Sequence, residues 1–286
     1  MIYFCADDYG LCKETSSHIE KCIEQGVLNK VSVFPNFEEI DFGKLFAVKN
    51  IRVSLHLNLV EGKCMADAGS LTLLADESGT FKNTFFGIFV KSLLNRKKFA
   101  DEAYREIREQ VLWWKGILPQ GVSFSIDSHQ HTHMIPAVFS ALLRVLEDEK
   151  IHPEYMRIPA EPILPFIKTP SLYFTYSPIN LIKQWLLNFL WLFNRKKMKK
   201  HKIPYAKFFG ILFSGKMDAN RVKKILPHYL RMAEKDGRDT EVLFHPGYIA
   251  ETVLDPENIV FDKFYLSENR KTEFDSVMNI AERSVQ

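Results

Sequence analysis

The residues in this sequence that could do chemistry are aspartates, histidines and one arginine, placed at the ends of apolar runs. Asp7 and Asp8 directly follow the apolar residues 2–6. Two adjacent carboxylates resist joint ionisation unless a cation lies beside them, and the other common use of such a pair is to cap the next helix. His56 sits in Ser54-Leu55-His56-Leu57-Asn58-Leu59, where alternation puts His56 and Asn58 on one face. A lone histidine there serves as a ligand or as a satisfied core residue. The run Asp127-Ser128-His129-Gln130-His131-Thr132-His133 holds three histidines and an aspartate. If extended, it presents His129, His131 and His133 on one face, and neutral imidazole is the commonest metal ligand. Asp127 suits a partner that fixes the tautomer of a ligating histidine. Arg157 lies on a further apolar run, with Glu161 behind it, and His245-Pro246-Gly247 closes another. The last motif reads as a turn or as a catalytic histidine. Carboxylates and imidazoles without thiolates suit zinc, magnesium or manganese. Such an ion makes water a nucleophile near neutral pH, a nearby carboxylate takes its proton, and a histidine protonates a leaving amine. This chemistry fits hydrolysis of an amide or an ester.

The elements that must position these groups alternate between short β-rich and longer helical patterns. Strands are expected over 2–6, 30–34, 51–59, 122–127, 155–158, 206–213 and 241–244. Helices are expected over 14–25 with Gly26 as C-cap, 101–115 ending near Gly116, 136–149 opened by Pro136, 220–235 and 268–283. Strands separated by helices imply βαβ units and a parallel sheet. About seven such units with no dinucleotide glycine fingerprint favour an α/β fold of the distorted (β/α) barrel type. In that fold the C-terminal ends of the strands carry the active site, which is where most of the residues above fall. The chain reads as a single domain over 1–286, with insertions near 69–98 and 165–202.

Composition bounds the rest. The chain has 286 residues, 46% hydrophobic and 26% charged, as expected for a folded globular protein. A net charge of +3 gives no argument for a nucleic-acid partner. Cys5, Cys12, Cys22 and Cys64 form neither a CxxC pair nor a disulfide framework, and the N-terminus shows no secretory pattern, so a cytoplasmic location is expected. The apolar residues 181–193, interrupted by Lys183, Gln184 and Asn188, are too few to span a bilayer. The basic run 195–202 follows them. Together, 181–202 read either as a helix packed on the barrel with a solvated basic end, or as a basic amphipathic element that meets a membrane surface or a lipid-linked glycan.

The segments ADDYG, HLNLVEG, DSHQHTHMIP and FHPG, in this order and approximate spacing, resemble the signatures of the YdjC-like (ChbG) carbohydrate deacetylases, the chitooligosaccharide deacetylases among them. The likeness runs from about residue 2 to residue 250. It implies a metal-dependent hydrolase that removes the acetyl group of an N-acetylated sugar. It further implies one divalent ion, Mg2+ or Zn2+, on Asp8, His56 and His129, with Asp7 as general base and His245 as acid or transition-state stabiliser. His131, Asp127 and Arg157 take supporting roles in this reading, and a homodimer is a further implication, since some members are dimers. Two other functions compete: a metal-dependent hydrolase of another ester or a phosphoester, which would want more basic residues at the mouth, and a non-catalytic, metal-stabilised sugar-binding protein.

Overall fold

The computed structural model describes residues 1–37, 42–249 and 262–280. In chain order the elements begin with β1 (Ile2–Tyr9), α1 (Lys13–Gln25), β2 (Lys30–Val33), α2 (Phe42–Ala47) and β3 (Arg52–Leu57). A hairpin of β4 (Glu61–Lys63) and β5 (Thr80–Lys82) precedes α3 (Phe85–Leu94) and α4 (Arg96–Ile117). Then come β6 (Ser125–Ser128), α5 (Pro136–Asp148), β7 (Tyr155–Met156), α6 (Leu164–Ile167) and α7 (Pro178–His201). The chain continues through β8 (Lys207–Phe209), α8 (Ala219–Asp236), β9 (Thr240–Phe244), α9 (Asp262–Tyr265) and α10 (Glu268–Asn279).

Seven strands form one parallel sheet in the order β7-β6-β3-β2-β1-β9-β8. All seven expected strands are present, and the sheet curls as the barrel reading requires. Its two edge strands approach through a backbone bond from Met156 N–H to the carbonyl of Pro204, just before β8 (3.0 Å). Both faces are buried, yet β2, β3 and β6 alternate, so that Lys30 and Ser32, Ser54 and His56, and Ser125 and Asp127 are buried polar residues interleaved with apolar ones. Helix α4 presents Phe99, Ala103, Ile107, Val111 and Trp114 as one buried stripe, the three-to-four spacing of an amphipathic helix. Helix α8 does the same with Val222, Ile225, Leu226, Tyr229 and Ala233.

Several boundaries differ from expectation, each for a local reason. Gly26 ends α1, but its backbone is extended (φ −108°, ψ −155°) rather than left-handed. A side chain there would stand 2.7 Å from the Cys22 carbonyl and 2.9 Å from Val277, so close packing demands the glycine. Helix α4 begins earlier than expected and runs through Gly116 to Ile117. Residues 136–148 form the helix opened by Pro136, and the last helix ends at Asn279, with Arg283 outside the described residues. Of the insertions, residues 61–94 form the hairpin and α3, and α7 occupies most of 165–202.

The strand expected over 206–213 stops at Phe209 because a side chain takes its next donors. Glu161, fully buried, accepts the backbone N–H groups of Gly210 (2.7 Å), Ile211 (3.0 Å) and Leu212 (2.9 Å). Burial pushes its pKa up to about 7 against the pull of those three donors. This clamp ties the chain leaving β7 to the chain leaving β8. Replacing Glu161 by Ala strands three buried donors, each costing about 1–3 kcal/mol. Glu161→Ala is therefore expected to lower the unfolding free energy by about 3 kcal/mol or more in denaturant titration, with Glu161→Gln clearly milder. Equal stability of Glu161→Ala and wild type would show that the clamp carries no weight.

Candidate active site

The site is built at the C-terminal ends of β1, β3 and β6, beginning with an irregularity in β1. Pairing between β1 and β2 shifts between Ala6 and Tyr9, and Asp8 takes a left-handed backbone (φ 71°). Aspartate tolerates this conformation better than most residues. The twist turns two consecutive side chains toward the same place, and both carboxylates are buried. Asp7 Oδ2 lies 3.9 Å, and Asp8 Oδ1 3.6 Å, from His56 Nε2.

Two histidines meet Asp8, and a carboxylate backs each. His56 Nδ1 lies 2.6 Å from Asp127 Oδ1, which leaves Nε2 directed at Asp8. His129 Nδ1 lies 3.4 Å from the same Asp8 oxygen, and its Nε2 lies 3.1 Å from Glu61 Oε1 and 3.3 Å from the Tyr265 hydroxyl. Tyr265 also donates to Glu61. The Phe34 ring sits edge-on to His56 (4.9 Å) and tilted against His129 (5.0 Å), holding both imidazoles in place.

Cations balance this cluster incompletely. Arg157 grips Asp7 with a two-pronged fork (2.7 and 2.8 Å) and also donates to Glu241 (2.8 Å). Lys30 donates to Glu241 (2.8 Å) and lies 3.5 Å from Asp127. Arg270 donates to Asp8 Oδ2 and to the carbonyl of Gly247 (2.9 Å), with the Phe264 and Tyr265 rings beneath its guanidinium. With neutral histidines, the five linked carboxylates Asp7, Asp8, Glu61, Asp127 and Glu241 exceed the cations Lys30, Arg157 and Arg270 by two charges.

The titrations answer that deficit. Burial pulls the His56 ring down, but Asp7, Asp127 and Asp8 outweigh it and raise its pKa to about 9. Burial likewise opposes, and Asp8 and Glu61 overcome, an upward shift at His129. Asp8 is pushed up by burial, yet Arg270 and the two histidines hold it well below the usual carboxylate range. Asp127 is also held low against burial, by Arg157, Lys30 and His56.

Asp8, His56 and His129 each offer a ligand atom, with these atoms all within 4.8 Å of one another. Asp8 Oδ1 and His56 Nε2 are buried and make no hydrogen bond. A buried polar atom without a partner is costly, and here two such atoms face one point beside a third nitrogen, in a cluster short of two positive charges. The donor set fits a divalent cation. Asp7, His56 and Asp127 form an alternative group, but both Asp7 oxygens already receive the Arg157 fork and His56 Nδ1 is committed to Asp127.

The remaining candidates fall around this centre. His245 is held by Glu273, which accepts its backbone N–H (2.6 Å) and lies 3.4 Å from Nδ1. Gly247 of the same motif packs so tightly on α1 that a side chain would lie 2.3 Å from Thr15. The run from His129 to His133 is not extended, contrary to expectation. It forms a tight helical turn in which Gln130 and His131 adopt left-handed backbones (φ 49° and 59°), so its three histidines diverge. His129 goes to Asp8, and His131 packs edge-on against Phe208 (5.8 Å) with Nδ1 unpartnered. Burial, then Arg157, holds His131 well below its usual pKa. His133 is a structural residue: its Nε2–H donates to the Arg157 carbonyl (2.8 Å) while its Nδ1 pairs with Ser128.

Sequence reasoning missed Glu61, Lys30, Glu241, Tyr265, Arg270 and Glu273. Glu61 stands in the segment HLNLVEG and so carried a signal. Lys30 and Glu241 begin strands, and the other three come from α9 and α10, where nothing in the local pattern marks them.

Comparison with known proteins agrees with this architecture. The family model described as YdjC-like protein matches residues 1–283. A carbohydrate deacetylase of Xenopus laevis is 31% identical over 159 residues, covering 54% of this chain and 49% of that protein. A chitooligosaccharide deacetylase of Yersinia enterocolitica is 26% identical over 136 residues, covering 47% and 51%. The aligned stretches thus span about half the length of these curated relatives. A solved structure from Enterococcus faecalis V583, provisionally named a cellobiose-phosphate cleavage protein, superposes with a TM-score of 0.64 at 15% identity over 99% of this chain and 91% of that one. That likeness concerns the fold.

His133 gives a pH test of the site's scaffold. Burial lowers its pKa to about 4, so between its ordinary value of about 6.5 and 4 the unfolded chain binds the extra proton and stability falls as pH falls. The stability that wild type holds over a His133→Gln variant is expected to narrow by about 2 kcal/mol from about pH 7 to about pH 5. Denaturant unfolding at both pH values reads it, and an unchanged difference would mean that His133 does not stay neutral in the fold.

Proposed function

The chain belongs to the YdjC-like family, and from that premise we propose that it is a metal-dependent hydrolase that removes the acetyl group from an N-acetylated amino sugar or oligosaccharide. The carrying observation is the pair of buried, unpartnered ligand atoms, Asp8 Oδ1 and His56 Nε2, beside His129. The relatives named carbohydrate deacetylase and chitooligosaccharide deacetylase support the substrate class.

In this reading Asp8, His56 and His129 hold one divalent ion, Mg2+ or Zn2+. The ion would polarise the acetyl carbonyl and acidify a water. Asp7 is the general base: Arg157 donates to both of its oxygens and fixes its orientation, Cys5 donates to Oδ1 as well, and the second lone pair of Oδ2 remains to take the water's proton. His245, steadied by Glu273, protonates the departing sugar amine. Asp127 and Glu61 orient the two ligating imidazoles, as carboxylates do behind metal-bound histidines. His131, unpartnered at Nδ1, supports the site from the Phe208 side. A phosphoester substrate is disfavoured because Lys30, Arg157 and Arg270 are all bound to carboxylates and none is left to take a phosphate.

Two experiments test this. Acetate release from N,N′-diacetylchitobiose is expected to vanish on chelation and to return with added divalent ion. Asp7→Asn should lower turnover by about 10²–10⁴-fold while retaining metal, and His129→Ala should lose the metal. Near-normal turnover by Asp7→Asn would remove it as the base, and sugar binding without acetate release would favour a binding protein.

Metal affinity itself should depend on pH. Below about pH 9 His56 carries a proton in the cation-free chain, and a ligating imidazole must be neutral. Binding is thus expected to release protons and to tighten as pH rises from about 6 toward 9. Calorimetry in buffers of different ionisation enthalpy measures the release, and buffer-independent heats would contradict the assignment of His56 as a ligand.

A further inference from the structure

Between Glu161 and Asp218 lies the most lopsided stretch of the chain: residues 162–217 contain ten Lys and Arg and no Asp or Glu. The whole chain has 38 basic and 35 acidic residues, so the remainder carries an excess of seven acids. Charge is segregated, and α7 carries most of the basic half.

The helix buries one face and leaves the other bare. Asn180, Gln184, Leu187, Leu190, Asn194 and Met198 are buried, and three of them, Asn180, Gln184 and Asn194, donate to backbone carbonyls of the sheet's loops. The opposite stripe, at helical spacing, is Ile182, Trp185, Phe189 and Phe193, with Ile179 and Leu192 beside it, and all six are exposed. Trp185 is 72% exposed and Ile182 68%. One turn further on, the same stripe continues as Lys196 and Lys200.

The basic end also borders a cavity of about 760 Å³, whose lining holds six cations, Arg52, Arg195, Lys196, Lys199, Lys202 and Arg238, and two acids, Glu154 and Asp239. Lys197 is engaged elsewhere, on Ser140 (2.6 Å).

A stripe of aromatic and branched side chains that runs into lysines, on a helix with no acid of its own, matches one environment closely: acyl chains under a layer of anionic headgroups. We propose that α7 docks this protein on the surface of an anionic lipid bilayer, with Ile182, Trp185, Phe189 and Phe193 entering the interface and Lys196, Lys199 and Lys200 meeting lipid phosphates. Interfacial helices bind through this combination of buried apolar area and basic charge. No helix among the described residues is long and apolar enough to cross a membrane, so the helix lies on the surface. A second copy of the chain is a poorer occupant, because α7 offers no acid to another α7, and an antiparallel pairing would desolvate the lysines of one helix against the apolar end of the other.

Co-sedimentation with phosphatidylcholine vesicles, with and without phosphatidylglycerol, tests the proposal. Wild type is expected to bind the phosphatidylglycerol vesicles and to leave the pure phosphatidylcholine ones in solution. Lys196→Glu, Lys199→Glu, Lys200→Glu together should weaken binding on the order of a hundredfold, since each basic residue near such a surface contributes several-fold. The milder Lys→Gln triple variant should fall between. Trp185→Ser with Phe189→Ser should also lose binding while circular dichroism stays unchanged. Wild type that ignores anionic vesicles, or binds both kinds equally, overturns the proposal. So does a concentration-dependent dimer in sedimentation velocity that Trp185→Ser abolishes, which would give the stripe to a second copy.

Discussion

Arg157 donates to Asp7 and to Glu241 at once and lies 3.5 Å from Asp127, with none of its surface exposed. A buried guanidinium needs acceptors for its fork, and Arg157 in turn helps hold Asp127 and Glu241 below the usual carboxylate range against the cost of burial. The inner end of the curled sheet is organised around this mutual requirement. Lys30 and Glu241 enter from the starts of β2 and β9, Asp127 from β6 and Asp7 from β1, so the network binds strands that are not all neighbours. His133 extends its reach by fixing the Arg157 carbonyl. The network is therefore both a structural lock across the sheet and the frame on which the reactive groups are hung.

The candidate metal centre sits at the edge of this frame, where its balance fails. Lys30 and Arg157 leave Asp7, Asp127 and Glu241 one positive charge short, and Arg270 leaves Asp8 and Glu61 another. At Asp8 the shortfall bares an atom: Arg270 satisfies one oxygen and leaves the other without a partner beside two imidazoles. A proton on His56 makes good part of the missing charge in the cation-free chain, the same deficit shifts His129 upward, and a divalent ion would supply the charge instead. One deficit thus explains the raised histidine pKa values, the unpartnered atoms and the carboxylate behind each ring.

Much of this was legible from the sequence, and what was not has physical causes. Seven largely apolar runs marked seven strands, because a sheet buried on both faces leaves few places for polar residues. That same rule made Asp7, Asp8, His56, Asp127 and His129 conspicuous. That Asp127 would fix the tautomer of a histidine followed from residue chemistry, but not that the histidine is His56. The geometry of the histidine run did not, because periodicity assumes a regular backbone and Gln130 and His131 leave it. Nor did the end of the β8 region, where a distant Glu161 captures three backbone donors. Arg270, Tyr265 and Glu273 lay beyond reach for another reason. They sit on the last helices, where Tyr265 and Arg270 meet Glu61, His129 and Asp8 from more than a hundred residues away and Glu273 meets His245 from 28, and such contacts leave no trace in a local pattern.

The two arms of the site differ in how they are tied down, and this bears on how the centre tolerates change. Asp7 and His56 share an anchor, since Arg157 grips Asp7 directly and reaches His56 through Asp127. The proposed base and one proposed ligand are thus positioned by a single buried cation. His129 is held instead by Glu61 and Tyr265, from the β4 hairpin and from α9, with Arg270 stacked beneath Tyr265 and bonded to Asp8. The first arm belongs to the interior of the sheet and moves only if the sheet does. The second depends on elements added at the rim and at the end of the chain, so their packing decides whether His129, the third proposed ligand, meets the other two. The rigid arm supplies the reactive geometry, and the peripheral arm is where the chain completes the centre.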